Sequence, residues 1–339
     1  FMLSGIKSTP AKILLGISAL VSLVYSVNFM FWADCYVTGG ADCLTLISNE
    51  TILGDLSYGK GGPETSFNGT LMFGIFISSM IILNEGPKGM WKIMVPVMIG
   101  LSVMTAVIWL YWDNQIDASS TPKYVVPVTL ALYVGSYFML KEEGVDDGMS
   151  DFTIGVKIKD KIALVCLGTL AIMGIFYCFR AILFPDDTVD SYEIGTVSSE
   201  MLNLGLGSPS AVTVAVGGSL FLVYLLWILI TIMDGAKGKW AIMHPGLFFT
   251  LAVVMNNYTY WASNIGEASR PVSDQFVMDS ATGPLAMLLL LISYYRLRDE
   301  GVEEGMTIYG EDCPPNKFNV FLLTMALGLG LLFTLNAFS

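Results

Sequence analysis

The chain is short of charge, of histidine and of cysteine. Charged residues make up 14% of its 339 positions, where an ordinary soluble domain has about a quarter. A single histidine excludes a histidine-rich metal centre and bis-histidine haem ligation. Cations are the scarcer sign: 17 Lys and Arg stand against 29 Asp and Glu, a net charge of −12. That excludes a nucleic-acid binder, because a phosphate backbone needs clustered cations. Also missing are a P-loop, a nucleophile elbow and a zincin motif. What is present is apolar: hydrophobic residues make up 54%, and the mean hydropathy is +0.65.

The apolar residues come in runs of about 20, the length that crosses a bilayer. Nine such runs are legible: 13–33, 66–84, 93–112, 121–140, 162–184, 211–233, 241–261, 276–296 and 318–338. The expected fold is an all-α polytopic membrane protein with nine spans. Of the 17 basic residues, 13 fall in loops on one side; Lys60, Lys123, Arg180 and Arg270 fall on the other. By the positive-inside rule the N-terminus is inside and the C-terminus outside. The first run has a basic start like a signal peptide, but bulky residues follow it and a repeat argues that it is retained.

That repeat sets the expected architecture. Glu85-Gly-Pro-Lys-Gly-Met-Trp-Lys-Ile-Met-Val-Pro96 matches Asp234-Gly-Ala-Lys-Gly-Lys-Trp-Ala-Ile-Met-His-Pro245 at a spacing of 149. Over 81–112, 10 of 32 positions are identical, against about 2 by chance. Lys141-Glu-Glu-Gly-Val-Asp-Asp-Gly-Met-Ser150 matches Arg298-Asp-Glu-Gly-Val-Glu-Glu-Gly-Met-Thr307 at a spacing of 157, which implies an eight-residue insertion near 262–278. Lys12-Ile13 aligns with Lys161-Ile162 at 149, and Pro10 and Lys12 with Pro315 and Lys317. The expected plan is a first four-helix unit (1–150, with outer loop 34–65), a second (151–307, with outer loop 185–210) and a ninth helix in 308–339. An even number of spans per unit makes the units parallel, related by an axis near the membrane normal.

The most specific motif is acidic and glycine-rich: Glu142, Glu143, Asp146 and Asp147, copied as Asp299, Glu300, Glu303 and Glu304. Eight carboxylates on the inner side suit a cation or a basic partner. They equally suit a helix end at the membrane surface, with Gly144 and Gly301 as C-terminal caps and the following Val and Met tucked back; the second reading is favoured. Asn256 and Asn257 lie midway along the seventh run, where their counterparts are Val107 and Ile108. Amides at that depth contact a substrate or pigment, or bond another helix. Cys35 and Cys43 sit close enough in the first outer loop to form a disulfide in an oxidising compartment. Asn49 and Asn68 lie in outer-side glycosylation patterns, and Asn257 lies in one within the membrane. His244 reads as a satisfied interfacial residue, and Arg180 as a residue that snorkels to the outer surface. No carboxylate or cation stands mid-membrane in the sequence, as an ion-coupled transporter would require.

Two expectations follow. The leading one is a non-catalytic integral membrane subunit that docks within a larger membrane complex. Its partners would be membrane lipid and other membrane subunits or a basic protein at the outer face. The alternative is a channel for a small neutral or cationic solute along the pseudo-twofold axis, lined by Asn256 and Asn257. The sequence names no cofactor, no metal ligand set and no catalytic residue. The inner loops carry 14 acidic residues against 13 basic, and the outer side 15 against 4. Of the net −12, then, −11 belongs to the outer face.

Overall fold

A computed structural model of the chain describes residues 5–31, 63–111, 121–192, 209–264 and 274–304. Among these residues it is all-helical, without a strand. The helices are α1 (Thr9–Phe31), α2 (Pro63–Glu85), α3 (Trp91–Tyr111), α4 (Thr121–Met139), α5 (Lys161–Leu183), α6 (Pro185–Tyr192), α7 (Pro209–Asp234), α8 (Trp240–Asn264) and α9 (Asp274–Arg296). One-turn 3-10 segments, Lys141–Glu143 and Leu297–Glu300, follow α4 and α9. The eight long helices fall on the first eight apolar runs, with ends within four residues of those expected. The ninth run, 318–338, lies outside the described residues. The short α6 stands where the second outer loop was expected to begin. Pro185 is preorganised for a first helical turn, and Asp186 and Asp187 face the positive end of the helix dipole.

Among the described residues, five helical stretches are long and apolar enough to cross a membrane: Thr9–Met30, Ser66–Glu85, Trp91–Tyr111, Lys161–Leu183 and Ala211–Asp234. Their side chains are apolar nearly all round, as a helix between protein and lipid requires. The exposed Ile13, Ile17 and Leu20 on α1, and Val165, Ile172 and Phe179 on α5, form faces that a bilayer solvates and water does not.

The long helices close into a ring. Its order is α1, α2, α8, α9, α5, α7, α3, α4 and back to α1, and α2 and α7 also touch across the middle. Exchanging α1 with α5, α2 with α7, α3 with α8 and α4 with α9 returns the same set of neighbours. The two sets of four therefore interlock, with α3 packed on α7 and α2 on α8, rather than standing side by side. The inner pair is the most enclosed: 72% of the α2 span is buried and 61% of the α7 span, against 39% for α1 and for α5.

Glycine sets the closest crossings. A Cβ on Gly69 of α2 would stand 2.8 Å from the backbone N of Met30 and O of Ser26 on α1. A Cβ on Gly218 of α7 would stand 2.8 Å from the Ala181 Cβ and 3.2 Å from the Cys178 carbonyl on α5. At the centre, the Tyr224 hydroxyl donates to the Leu71 carbonyl at 2.8 Å and lies over Gly74, where any Cβ would collide with it.

Candidate functional site

At the end of the ring that carries the acidic-glycine motifs, the chain folds back the same way twice. Gly144 and Gly301 have φ of +82° and +84°, the left-handed conformation that ends a helix and that glycine adopts without strain. The turned chain then bonds the next hairpin. The amide of Gly89 donates to the Gly144 carbonyl at 2.8 Å, and that of Trp91 to Val145 at 3.0 Å. In the other half Gly238 donates to Gly301 and Trp240 to Val302, both at 3.0 Å. Val145 and Val302 are fully buried, whereas Met149 stays exposed.

Several carboxylates of the two motifs take part in these brackets. Glu143 accepts from the amides of Lys7 and Ser8 at 2.7 and 2.6 Å, just before α1. Glu300 accepts from those of Lys159 and Asp160 at 3.1 and 2.6 Å, just before α5. Asp146 takes the Tyr137 hydroxyl and the Lys141 ammonium; Glu303 takes the Tyr294 hydroxyl at 3.2 Å and Arg298 at 3.4 Å. Glu304 pairs with Lys237 at 2.9 Å, and the backbone carbonyl of Asp147 receives the Trp91 indole N–H at 3.1 Å. Glu142 and Asp299 are both exposed on the same turns.

The bonded positions before α1 and α5 correspond at a spacing of 152: Lys7 with Lys159, Ser8 with Asp160, and Ile6 with Ile158, both buried. That differs by three residues from the register that aligns Lys12 with Lys161. The identical Ile6-Lys7 and Ile158-Lys159 pairs were the available signal, and the apolar helices that follow conceal it because any register aligns aliphatic with aliphatic.

The halves are also tied by charge. Asp234, at the end of α7, accepts from Lys92 of α3 at 2.6 Å and from Lys239 at 2.5 Å. Lys239 is only 3% exposed in its side chain. Burial and the nearby Lys92 bring its ammonium down to about 8, against the pull of Asp234 the other way. At the equivalent place in the first half stand Glu85 and an uncharged Met90. His244 is buried, with Nε2 3.2 Å from the Tyr294 hydroxyl and its ring against Trp240, so it is part of the bracket at the acidic-glycine end.

Between α5, α7, α8 and α9 lies an apolar cavity of about 260 Å³ that sequence reasoning did not anticipate. On α5 it runs from Leu167 to Arg180, a rise of about 20 Å at 1.5 Å per residue. Aromatic rings of Phe221, Tyr224, Trp227 and Phe249 form one wall. Asn68, Arg180 and Thr188 supply polar groups at the end beside the α5–α6 junction. Asn68 itself donates to the Thr213 carbonyl at 2.8 Å, which places it in a helix contact.

Asn256 and Asn257 lie within α8, and their side chains are outside the described residues, as are Cys35, Cys43 and Asn49. Cys166 and Cys178 are free and buried. Among the described residues no group of three or more His, Cys, Asp or Glu is placed to hold a metal ion. Comparison with known proteins finds no family model that matches the chain, no similar curated protein and no similar solved structure.

Proposed function

We propose that the chain is a non-catalytic, multi-pass membrane subunit that docks within a larger membrane complex through its acidic outer face. It would be built as two parallel four-helix units plus a ninth helix, with its N-terminus inside and its C-terminus outside. The observation that carries this reading is the closed ring, whose middle is occupied by the α2–α7 crossing and the Tyr224 hydroxyl over Gly74. Glu143, Glu300, Asp146, Glu303 and His244 all have partners inside the fold, which supports a framework role for them. The loops that meet at the bracketed end hold Lys7, Lys92, Lys141, Lys159, Lys237 and Arg298, in keeping with an inner face there. An outer face of net −11 then attracts cationic partners over a Debye length of about 8 Å in physiological salt.

Native extraction in mild detergent tests this. The expected result is a stable assembly with other chains that dissociates as ionic strength rises. A monodisperse single chain that conducts solute in liposomes, with the flux abolished by Asn256→Leu, overturns it in favour of an axial channel.

A further inference from the structure

The cavity between α5, α7, α8 and α9 has no part in the docking reading, and at several of its positions the first half carries a larger side chain. The positions that open it are smaller than their partners across the ring: Gly283 for Val126, Ala286 for Thr129 and Leu290 for Tyr133, all at the spacing of 157. Tyr133 is fully buried where its ring fills the first half. Gly246 likewise replaces Val97. Along α9 and at Gly246 the space thus coincides with smaller side chains than those at the matching positions of the first half. Its shape is long and its walls are aromatic and aliphatic; the charged residue in its lining, Arg180, stands at one end with Asn68 and Thr188, while Thr231 and Thr250 elsewhere along it donate to carbonyls of their own helices. Asp186 and Asp187, on the adjoining α6, are exposed and do not line it.

We propose that this slot binds a single acyl chain whose acidic head lies at the outer end beside Arg180 and Thr188. A flexible chain suits a narrow site about 20 Å long between helices. The Arg180 guanidinium has five N–H donors, enough to take a carboxylate or phosphate beside the contacts it already makes, and the Thr188 hydroxyl next to it donates to the Phe184 carbonyl at 2.7 Å and so faces the head with an accepting oxygen. Met173, Tyr177 and Ala286 on the α5 and α9 walls are half-buried, and the chain enters from the bilayer between those helices. The head is the shared chemistry of a free fatty acid and an anionic phospholipid, and competition separates the two.

The test uses the purified full chain and cis-parinaric acid, a polyene fatty acid that accepts energy from tryptophan; Trp227 lines the slot. The expected result is saturable transfer at about one probe per chain, with binding weakened about tenfold by Leu290→Tyr and by Ala286→Phe. The methyl ester of the probe, and Arg180→Gln with the free acid, give the same order of loss. Competition by oleic acid or by phosphatidylglycerol then identifies the source. On the unaltered chain, brominated fatty acids with bromines far from the head quench tryptophan more than those brominated near it. Transfer that never saturates, variants that bind like the unaltered chain, equal binding of acid and ester, or quenching strongest near the head each overturn the assignment. None of these readouts depends on whether the chain assembles with other subunits.

Discussion

The two halves of the ring share their neighbours and their brackets but not their interiors. In the first, Tyr133 and Thr129 of α4 are buried between helices, and the turn before α3 carries Met90. In the second, Leu290 and Ala286 line a slot, and the turn before α8 carries Lys239 clamped by Asp234. The positions held alike are those where backbones meet, Gly69 with Gly218 and Gly144 with Gly301. Those that diverge are side chains facing enclosed space. Two sets of helices with matching neighbours share their crossings because a Cβ there moves a whole helix, whereas interior volume is redistributed by changing one side chain for another.

The largest difference between the halves should appear at the charged turn. Asp234→Ala leaves Lys239 buried beside Lys92 with no carboxylate and is expected to cost about 3 kcal/mol in denaturant unfolding of the detergent-solubilised chain. Glu85→Ala, facing no lysine at position 90, should cost less than about 1 kcal/mol. Adding Lys239→Met to Asp234→Ala should restore most of the loss, since it removes the buried unpaired ammonium and places at 239 the residue the first half has at 90. The pH dependence has a definite sign. Lys239 is held at about 8 in the fold, below its unfolded value, so between those values the unfolded chain binds the extra proton and stability rises with pH. Lys239→Met should flatten that rise; a profile unchanged by it would place the effect elsewhere.

Next come the interior exchanges. Tyr133→Leu empties enclosed space in the first half and should cost about 2 kcal/mol. Leu290→Tyr inserts a ring where a cavity already exists and should cost less than about 1 kcal/mol. Equal costs would mean that the second half closes around the slot and that the halves do not differ in packing. The crossing glycines sharpen the same point. Gly69→Ala drives a methyl against backbone atoms of α1 and should cost about 2 kcal/mol; Gly218→Ala meets mainly the side chains of Ala181 and Ile182 and should cost about 1 kcal/mol.

Much of this fold was legible in the sequence, for a physical reason. Apolar runs have to be as long as a bilayer is thick, so the eight described long helices announce themselves within a turn. The inner motif was legible as a helix stop because Gly144 and Gly301 require a left-handed backbone. The closed ring and its order were not, since apolar helices carry no periodic stripe to say which face meets which neighbour. The slot was hidden for a related cause. Gly283, Ala286 and Leu290 read as ordinary membrane-helix residues until they are set against Val126, Thr129 and Tyr133. The amides Asn256 and Asn257 stood out as isolated polar residues; the aromatic wall of the slot passed as packing because aromatics are common in spans.

The smallest expected effects concern the brackets, and here the halves should differ in where they loosen more than in how much. Glu143→Gln weakens two charge-assisted bonds to the amides of Lys7 and Ser8, and Glu300→Gln weakens those to Lys159 and Asp160. Each should cost about 1 kcal/mol, as loss of a helix cap does. Ser8 caps the Ala11 amide at 3.3 Å as Asp160 caps that of Ala163 at 2.8 Å, but the second half has a further tie, because Asp160 also accepts from Arg296 at 2.5 and 3.0 Å, while the equivalents Ser8 and Met139 have no ionisable side chains to pair. Hydrogen exchange should therefore rise sharply at residues 7–12 in Glu143→Gln and only slightly at 159–164 in Glu300→Gln. Acid should remove the distinction. The Arg296 bond and the Ala163 amide hold the Asp160 carboxyl below the usual carboxylate range. Its contribution is thus complete above the unfolded value and is lost as pH falls through the depressed one. In Glu300→Gln the start of α5 should loosen to match α1 at low pH, and Asp160→Asn in the same background should produce that loosening at neutral pH. If exchange at 159–164 stayed slow in both conditions, the hold on α5 would reside in the burial of Ile158 alone, and the two halves would be anchored by apolar contact rather than by their acidic motifs.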